Sequence, residues 1–314
     1  MSPADWLEAS TTVASSEADL AEALLLEAGA LSVTLQDAAD APVLEPAPGE
    51  MPLWPRLQIT GLFEGGRDPL RLLATLHGRP PVAQWRIARL EDRAWEREWL
   101  RDFRPLCFGT RLAVVPTGMT APAGRTVVRL DPGLAFGTGT HPTTGLCLEW
   151  LDGLAAPQRE GPSEPRDQAT PLEGALVIDY GCGSGILAIA ALQLGAAEAI
   201  AVDLDPQALL ATRANATLNG VADKLHACAP QDLAELLAGR RARVLVANIL
   251  AGPLQQLLPC FADLLADHGR IALSGILVGQ ESVLEAAAQE AFQLEPAAVR
   301  EDWVRLSGRR KTSS

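Results

Sequence analysis

The sequence predicts an α/β protein: a mostly parallel, doubly wound sheet preceded by a smaller α+β domain. Three observations predict it. From residue 176 to residue 273, short apolar runs alternate with helical patterns, as in a parallel sheet with helices on both faces. The first run ends in Gly181, Gly183 and Gly185, three glycines at every second position, directly before a helical pattern. Ahead of all this, residues 6–90 read strand, helix, strand, strand, helix, strand.

Length and composition bound the answer. At 314 residues the chain has room for two or three domains, and 48% hydrophobic content fills real cores. No run of eighteen apolar residues occurs, and the first twenty lack a basic start followed by an apolar block. Neither a membrane span nor a secretory signal is expected, and the expected location is cytoplasmic. A net charge of −13 disfavours a direct nucleic-acid site and suits a basic protein partner. The five cysteines are scattered without a C-x-x-C pair, which argues against disulfides and a metal site and predicts small buried fillers.

Taken in order, residues 6–13 read as a strand and 17–28 as a helix, with Leu20, Leu24 and Ala28 on one face and Gly29 as its stop. Strands at 31–36 and 57–63, a helix at 69–77 and a strand at 83–90 complete a ferredoxin-like plan over 1–90. An RNA-binding module is the rival for such a domain. Its chemistry is missing, because 31–36 has no aromatic residue and 57–63 has only Phe63. Protein recognition is the favoured role, beside a purely stabilising one.

A connecting helix is expected over 91–104, with Trp95, Trp99, Leu100 and Phe103 on one face. The second domain then runs from 105 to 314. Strands near 111–115 and 126–130 lead into 131–144, a stretch of glycines and hydroxyls suited to folding over a ligand. His141 within it is read as a positioning hydrogen-bond partner, with general base as the alternative. Residues 155–174, rich in Pro, Gln, Arg, Glu and Gly, read as a mobile insertion.

The glycine turn narrows the chemistry. A dinucleotide fingerprint counted from Gly181 needs glycine at 186, where Ile186 stands. With Asp179 in front, the pattern is D-x-G-x-G-x-G, which resembles motif I of the S-adenosylmethionine-dependent methyltransferases. A turn that merely joins strand to helix is the plainer alternative. A second apolar run, 199–202, ends at Asp203, about twenty residues beyond the glycines, where a carboxylate can accept from ribose hydroxyls. Asp205-Pro206 has the form of a helix cap, and Asp203 could share that role. Helices at 206–219, 232–238 and 252–266 then alternate with strands at 225–229, 244–248 and 270–273. Asn248 closes the 244–248 strand, where its amide could meet an amine or the cofactor, or satisfy a loop backbone.

With these pieces placed, nearly the whole chain resembles the bacterial PrmA family, methyltransferases of large-subunit ribosomal protein L-eleven (L11). The likeness rests on Glu27-Ala28-Gly29-Ala30, on Trp95-Glu96-Arg97-Glu98-Trp99, on 131–144, on 177–191, on Asp203-Leu204-Asp205-Pro206-Gln207-Ala208 and on Ala247-Asn248-Ile249-Leu250-Ala251-Gly252-Pro253-Leu254. Residues 155–174 depart from it, since the family's connection there is shorter. The resemblance implies a class I, Rossmann-like methyltransferase domain behind an amino-terminal substrate domain. It also implies methyl transfer from S-adenosylmethionine to lysine and terminal amines of L11. At matching positions it implies Thr144, Gly181, Asp203 and Asn248 as cofactor contacts, and it names no general base. A related enzyme with another amine or amide acceptor, and a non-catalytic binding module, are the alternatives.

Overall fold

A computed structural model describes residues 6–38, 54–80, 84–90, 104–130, 139–156 and 170–312. The chain divides into two compact units, Met1–Asp102 and Phe103–Ser314.

In the first unit, β1 (Trp6–Ala14), β2 (Ser32–Asp37), β3 (Arg56–Glu64) and β4 (Arg86–Leu90) form an antiparallel sheet in the order β2-β3-β1-β4. Strand alternation turns Leu57, Ile59 and Phe63 inward and leaves Arg56, Gln58 and Glu64 outside. Two helices cover the apolar face. Pro69–Leu76 starts with the Asp68 carboxylate accepting from the Leu70 N–H, has proline in its first turn, and buries Leu72 and Leu76. Ala18–Glu27 buries Ala18, Ala21, Leu24 and Leu25, whereas Leu20, expected inward, is 62% exposed. A 3-10 turn at Ser15–Glu17 leads into this helix, and Ala18, Ala21 and Leu25 then share one stripe that leaves Leu20 off it.

The second unit opens with a small sheet of β5 (Leu106–Phe108), β6 (Leu112–Val115) and β7 (Thr126–Arg129). Three-residue β5 is too short to leave a period in the sequence. The buried Asp152 carboxylate clamps this sheet to the helix Pro142–Leu154, accepting from the Thr110 and Arg111 N–H groups at 2.9 Å each.

The large sheet contains β8 (Leu176–Tyr180), β9 (Glu198–Val202), β10 (Leu225–Cys228), β11 (Ala242–Asn248), β12 (Leu265–Leu277), β13 (Phe292–Leu294), β14 (Ala298–Arg300) and β15 (Trp303–Arg310). Its order is β10-β9-β8-β11-β12-β15-β13, with β14 also on β15. Pairing is parallel from β10 through β12 and antiparallel at β15. The alternation read from the sequence stops at 273 and so misses this carboxyl-terminal part. Three arginines and a glycine interrupt the apolar alternation of β15 and hide it.

Central strands buried on both faces need side chains of both parities. Val177, Ala199, Val244 and Val246 enter one core, and Ile178, Ile200, Leu245 and Ala247 enter the other. The helices Pro142–Leu154 and Ile186–Gln193 pack on the first side, and Ala251–Leu264 on the second. Cys147, Cys182 and Cys228 are the buried fillers expected, but Cys107 and Cys260 are exposed, and all five are free thiols.

The connecting helix expected over 91–104 falls outside the described residues except for Arg104, as do residues 131–138 and 157–169. Among the described residues, no helix is long and apolar enough to cross a membrane.

Candidate functional site

The carboxyl ends of β8, β9, β11 and β12 surround a mostly apolar cavity of about 820 Å³, the place where open parallel sheets bind ligands. Each strand delivers a polar group or a bare piece of backbone to it.

After β8 the chain turns on Gly181, Gly183 and Gly185 and enters the helix Ile186–Gln193. Gly181 has φ +78°, and a side chain there would run into Ile249 Cγ2, so its backbone faces the cavity bare. The turn is tied to the next strand, since the Gly181 and Cys182 N–H groups both donate to the Val202 carbonyl, at 2.7 and 3.0 Å.

Asp203, one residue past β9, accepts from the Gly183 N–H at 2.9 Å through one carboxylate oxygen and from the Asp205 N–H at 2.9 Å through the other. Two backbone donors thus fix the carboxylate plane, and each oxygen keeps a further acceptor direction. The cap of the helix Pro206–Leu218 is Asp205, whose side chain accepts from the Gln207 N–H. Asp203 takes no part in that cap.

Asn248, the last residue of β11, donates its amide to the Thr144 hydroxyl at 3.3 Å. Asn248 lines the cavity, whereas Thr144 is fully buried behind it in the first turn of the helix Pro142–Leu154. Of the four residues singled out from sequence, Gly181, Asp203 and Asn248 therefore meet at one cavity, and Thr144 reaches it through Asn248.

His141 caps the helix that carries Thr144. Its Nδ1 lies 2.7 Å from Thr143 Oγ1 and 3.4 Å from the Thr143 N, and its ring meets Trp303 edge-on at 4.8 Å. Partial burial holds the imidazole pKa below its ordinary value, opposed by the nearby Glu301 carboxylate, so the ring is neutral at pH 7.

Beneath the turn, Asp179 is completely buried. One of its oxygens accepts from the Ala188 N–H at 3.0 Å, and the other has no hydrogen-bond partner. Burial pushes this carboxyl up to about 7, against the Ala188 hydrogen bond, and the neighbouring Asp203 charge adds to the rise.

Sequence reasoning missed Tyr180, Ile249, Gln256, Gly275 and Trp303, all of which line the cavity. Ser274-Gly275 could have been found, since it follows the apolar run of a parallel strand on the ligand side of the sheet. Trp303 could not, because its antiparallel strand was not recognised. No cluster of three or more metal-type side chains exists among the described residues.

Comparison with known proteins places these features. Residues 5–311 match the family described as ribosomal protein L11 methyltransferase (PrmA). A ribosomal protein L11 methyltransferase of Sodalis glossinidius is 46% identical over 310 residues, 98% of this chain and 99% of that protein. One from Salmonella heidelberg is 47% identical over 311 residues, with the same coverage of 98% and 99%. A crystal structure of ribosomal protein L11 methylase from Lactobacillus delbrueckii subsp. bulgaricus aligns with TM-score 0.53 and 31% identity, over 67% of this chain and 100% of that one.

Proposed function

The chain belongs to the ribosomal protein L11 methyltransferase (PrmA) family, and on that premise we propose that it methylates amino groups of L11 with S-adenosylmethionine as donor. The large unit is read as a class I methyltransferase fold, the first unit as a ferredoxin-like domain that recognises the ribosomal protein, and the location as cytoplasmic. The observation that carries the reading is the Asp203 carboxylate, held by the Gly183 and Asp205 N–H groups at the edge of the cavity.

The residues present fit the donor. Gly181 leaves a cradle that a β-carbon would fill, Asp203 offers acceptors suited to a ribose diol, and apolar walls suit a purine. Gly181, Asp203 and Asn248 would hold it, with Thr144 orienting the Asn248 amide. When bound, S-adenosylmethionine supplies an electrophilic methyl group on a sulfonium.

The protein's own task is to align the amine and keep it neutral. A lysine of ordinary pKa, about 10.4, is neutral at pH 7 only about once in 2,500, a cost of ~4.6 kcal/mol. Ile249, Leu250, Pro253 and Leu257 give the amine an apolar surround, which disfavours its charged form. Holding two reactants in line supplies much of the remaining acceleration, up to ~7–11 kcal/mol in favourable cases.

Intact-protein mass spectrometry of large-subunit ribosomal proteins, after incubation with the enzyme and S-adenosylmethionine, tests the assignment. Methyl-sized increments on L11 alone support it. Increments on another protein overturn the partner and leave the donor site standing.

A further inference from the structure

Near pH 7 the donor S-adenosylmethionine carries a net positive charge, from sulfonium and ammonium against one carboxylate, and the thioether left after methyl transfer carries none. Among the described residues Asp203 is the one acid on the cavity wall, and it already accepts from two N–H groups. A second carboxyl, Asp179, lies one residue deeper in the sheet. It sits between Ala201 of β9 and Val246 of β11, directly below Tyr180 and Val202, which line the cavity. From this placement we infer that Asp179 makes the site discriminate donor from product by charge. It ionises when the cationic donor binds and takes its proton back beside the neutral product. The inference deepens the function proposed above and rests on it.

The local structure does not need an acid at this position. Among the described residues the Ala188 N–H is the one donor that Asp179 meets, at 3.0 Å, and a neutral side-chain amide would accept from it as well. The other carboxyl oxygen is buried without a partner. What a carboxyl adds here is the capacity to be charged. Strand residues rise ~3.3 Å each, so a charge resting on Tyr180 and Val202 lies within roughly 10 Å of Asp179. Buried protein separates the two, because Asp179 and Val202 are both fully covered. A unit charge at that range moves a carboxyl by about one pKa unit.

The groups facing Asp179 from each packed element leave it poised. Asp203, just past β9, is a like charge and opposes its ionisation. Cys182 in the turn and Cys147 on the helix Pro142–Leu154 are buried thiols whose pKa is pushed up, that of Cys147 to about 12, so both stay neutral. Arg305 on β15 faces Cys147 and donates to the Leu146 carbonyl, and no cation acts on Asp179 itself. With its carboxyl pushed up to about 7, Asp179 is protonated in the empty protein at mildly acidic pH. A cation in the cavity lowers that value, and the proton goes to solvent. Transfer moves the positive charge onto the acceptor nitrogen. Once the methylated amine departs, the carboxylate faces a neutral thioether, regains its proton and no longer favours what is bound.

Titration calorimetry of the full chain at pH 6.5, in buffers of different ionisation enthalpy, counts the protons released per ligand bound. Wild type should release about half a proton from Asp179 on binding S-adenosylmethionine, and its affinity for this donor should fall about fivefold from pH 7 to pH 5.5. S-adenosylhomocysteine is the neutral probe and should release none from this group. Asp179→Asn keeps an acceptor for the Ala188 N–H and should lose the released proton and the fivefold dependence, with S-adenosylhomocysteine affinity retained. His141 on the cavity wall also titrates in the acidic range, but both chains carry it, so their difference isolates Asp179. Equal proton release by wild type and variant overturns the inference, as does equal release with the two ligands. Carbon-13 spectra of aspartate-labelled wild type read the same carboxyl without any variant. Its pKa should drop by about one unit with the donor and hold with S-adenosylhomocysteine, and an unchanged value with the donor overturns the inference. Failure of both ligands to bind sinks the donor assignment and this inference together. Binding without added mass on L11 sinks the acceptor assignment alone, and the proton count still decides Asp179.

Discussion

Ile249 Cγ2 occupies the space that a β-carbon on Gly181 would need, so the turn after β8 and the residue following β11 close on each other without a gap. Gly181→Ala meets both this overlap and a φ of +78°, which a side-chain-bearing residue adopts only under strain. The variant should lose about 1–3 kcal/mol of stability from backbone strain alone. Cofactor affinity, read by titration calorimetry, should drop at least tenfold. Trimming the obstacle with Ile249→Ala in the same chain should recover part of the stability, because only the overlap is relieved.

Asp203 and Asp205 are two residues apart and predict opposite outcomes. Asp203→Ala strips the Gly183 and Asp205 N–H groups of their acceptor and removes the proposed ribose contacts, so cofactor affinity should fall about 10–150-fold, matching ~1.5–3 kcal/mol for charge-assisted bonds. Asp205→Ala removes only the cap on the Gln207 N–H, at a stability cost of ~1 kcal/mol, with affinity nearly unchanged. Equal affinity losses in the two variants would put the ribose contact elsewhere.

What could be read from the sequence follows from how each feature is encoded. Gly181 and Asp203 were legible because close backbone approach and an acceptor at a strand end each demand a particular residue type at a fixed spacing. The two-faced core of β8, β9 and β11 was legible as unbroken apolar runs. Leu20 was misplaced because the buried stripe of its helix runs through Ala18, Ala21 and Leu25, and its two alanines carry less weight in a hydrophobic count than the exposed leucine does. Trp303 meets the cavity only through the pairing of β12 with β15, a long-range contact that no local pattern announces, whereas Gly275 closes an apolar run that could have been followed. The Asn248 amide on Thr144 joins positions 104 residues apart, and only the family likeness had singled out both.

Asp152 ties the small sheet to the helix Pro142–Leu154 chiefly through two backbone donors, with the Thr110 hydroxyl donating to the same carboxylate at 3.4 Å. Asp152→Ala should leave the Thr110 and Arg111 N–H groups without their partner, a loss of about 1–3 kcal/mol each if water does not replace it. Urea unfolding should show the loss as a lower midpoint with an unchanged slope. Since Asp152 is remote in sequence from Asp203 and shares no hydrogen-bond partner with it, cofactor affinity at saturating folded protein should not move.

Asp179 makes stability depend on pH in a direction opposite to that of a salt-bridged carboxylate. Its folded pKa is about 7 against 3.8 for an ordinary aspartate, because full burial favours the neutral acid and the Asp203 charge opposes a second negative charge nearby. The sign follows from proton counts. Between the two values the folded state holds a proton that the unfolded state has released, so stability falls as pH rises, by up to about 1.4 kcal/mol per unit. Below the unfolded value both states are protonated and the slope vanishes; above about 7 both are ionised, and the buried charge is fully felt. Asp179→Asn removes the titration while keeping one acceptor for the Ala188 N–H. Denaturation midpoints of wild type and variant should therefore diverge steadily from pH 4 to pH 7, in favour of the variant, and then run parallel. A constant offset across that range would mean that Asp179 is already ionised in the folded protein at acidic pH, and that its unpartnered oxygen is charged.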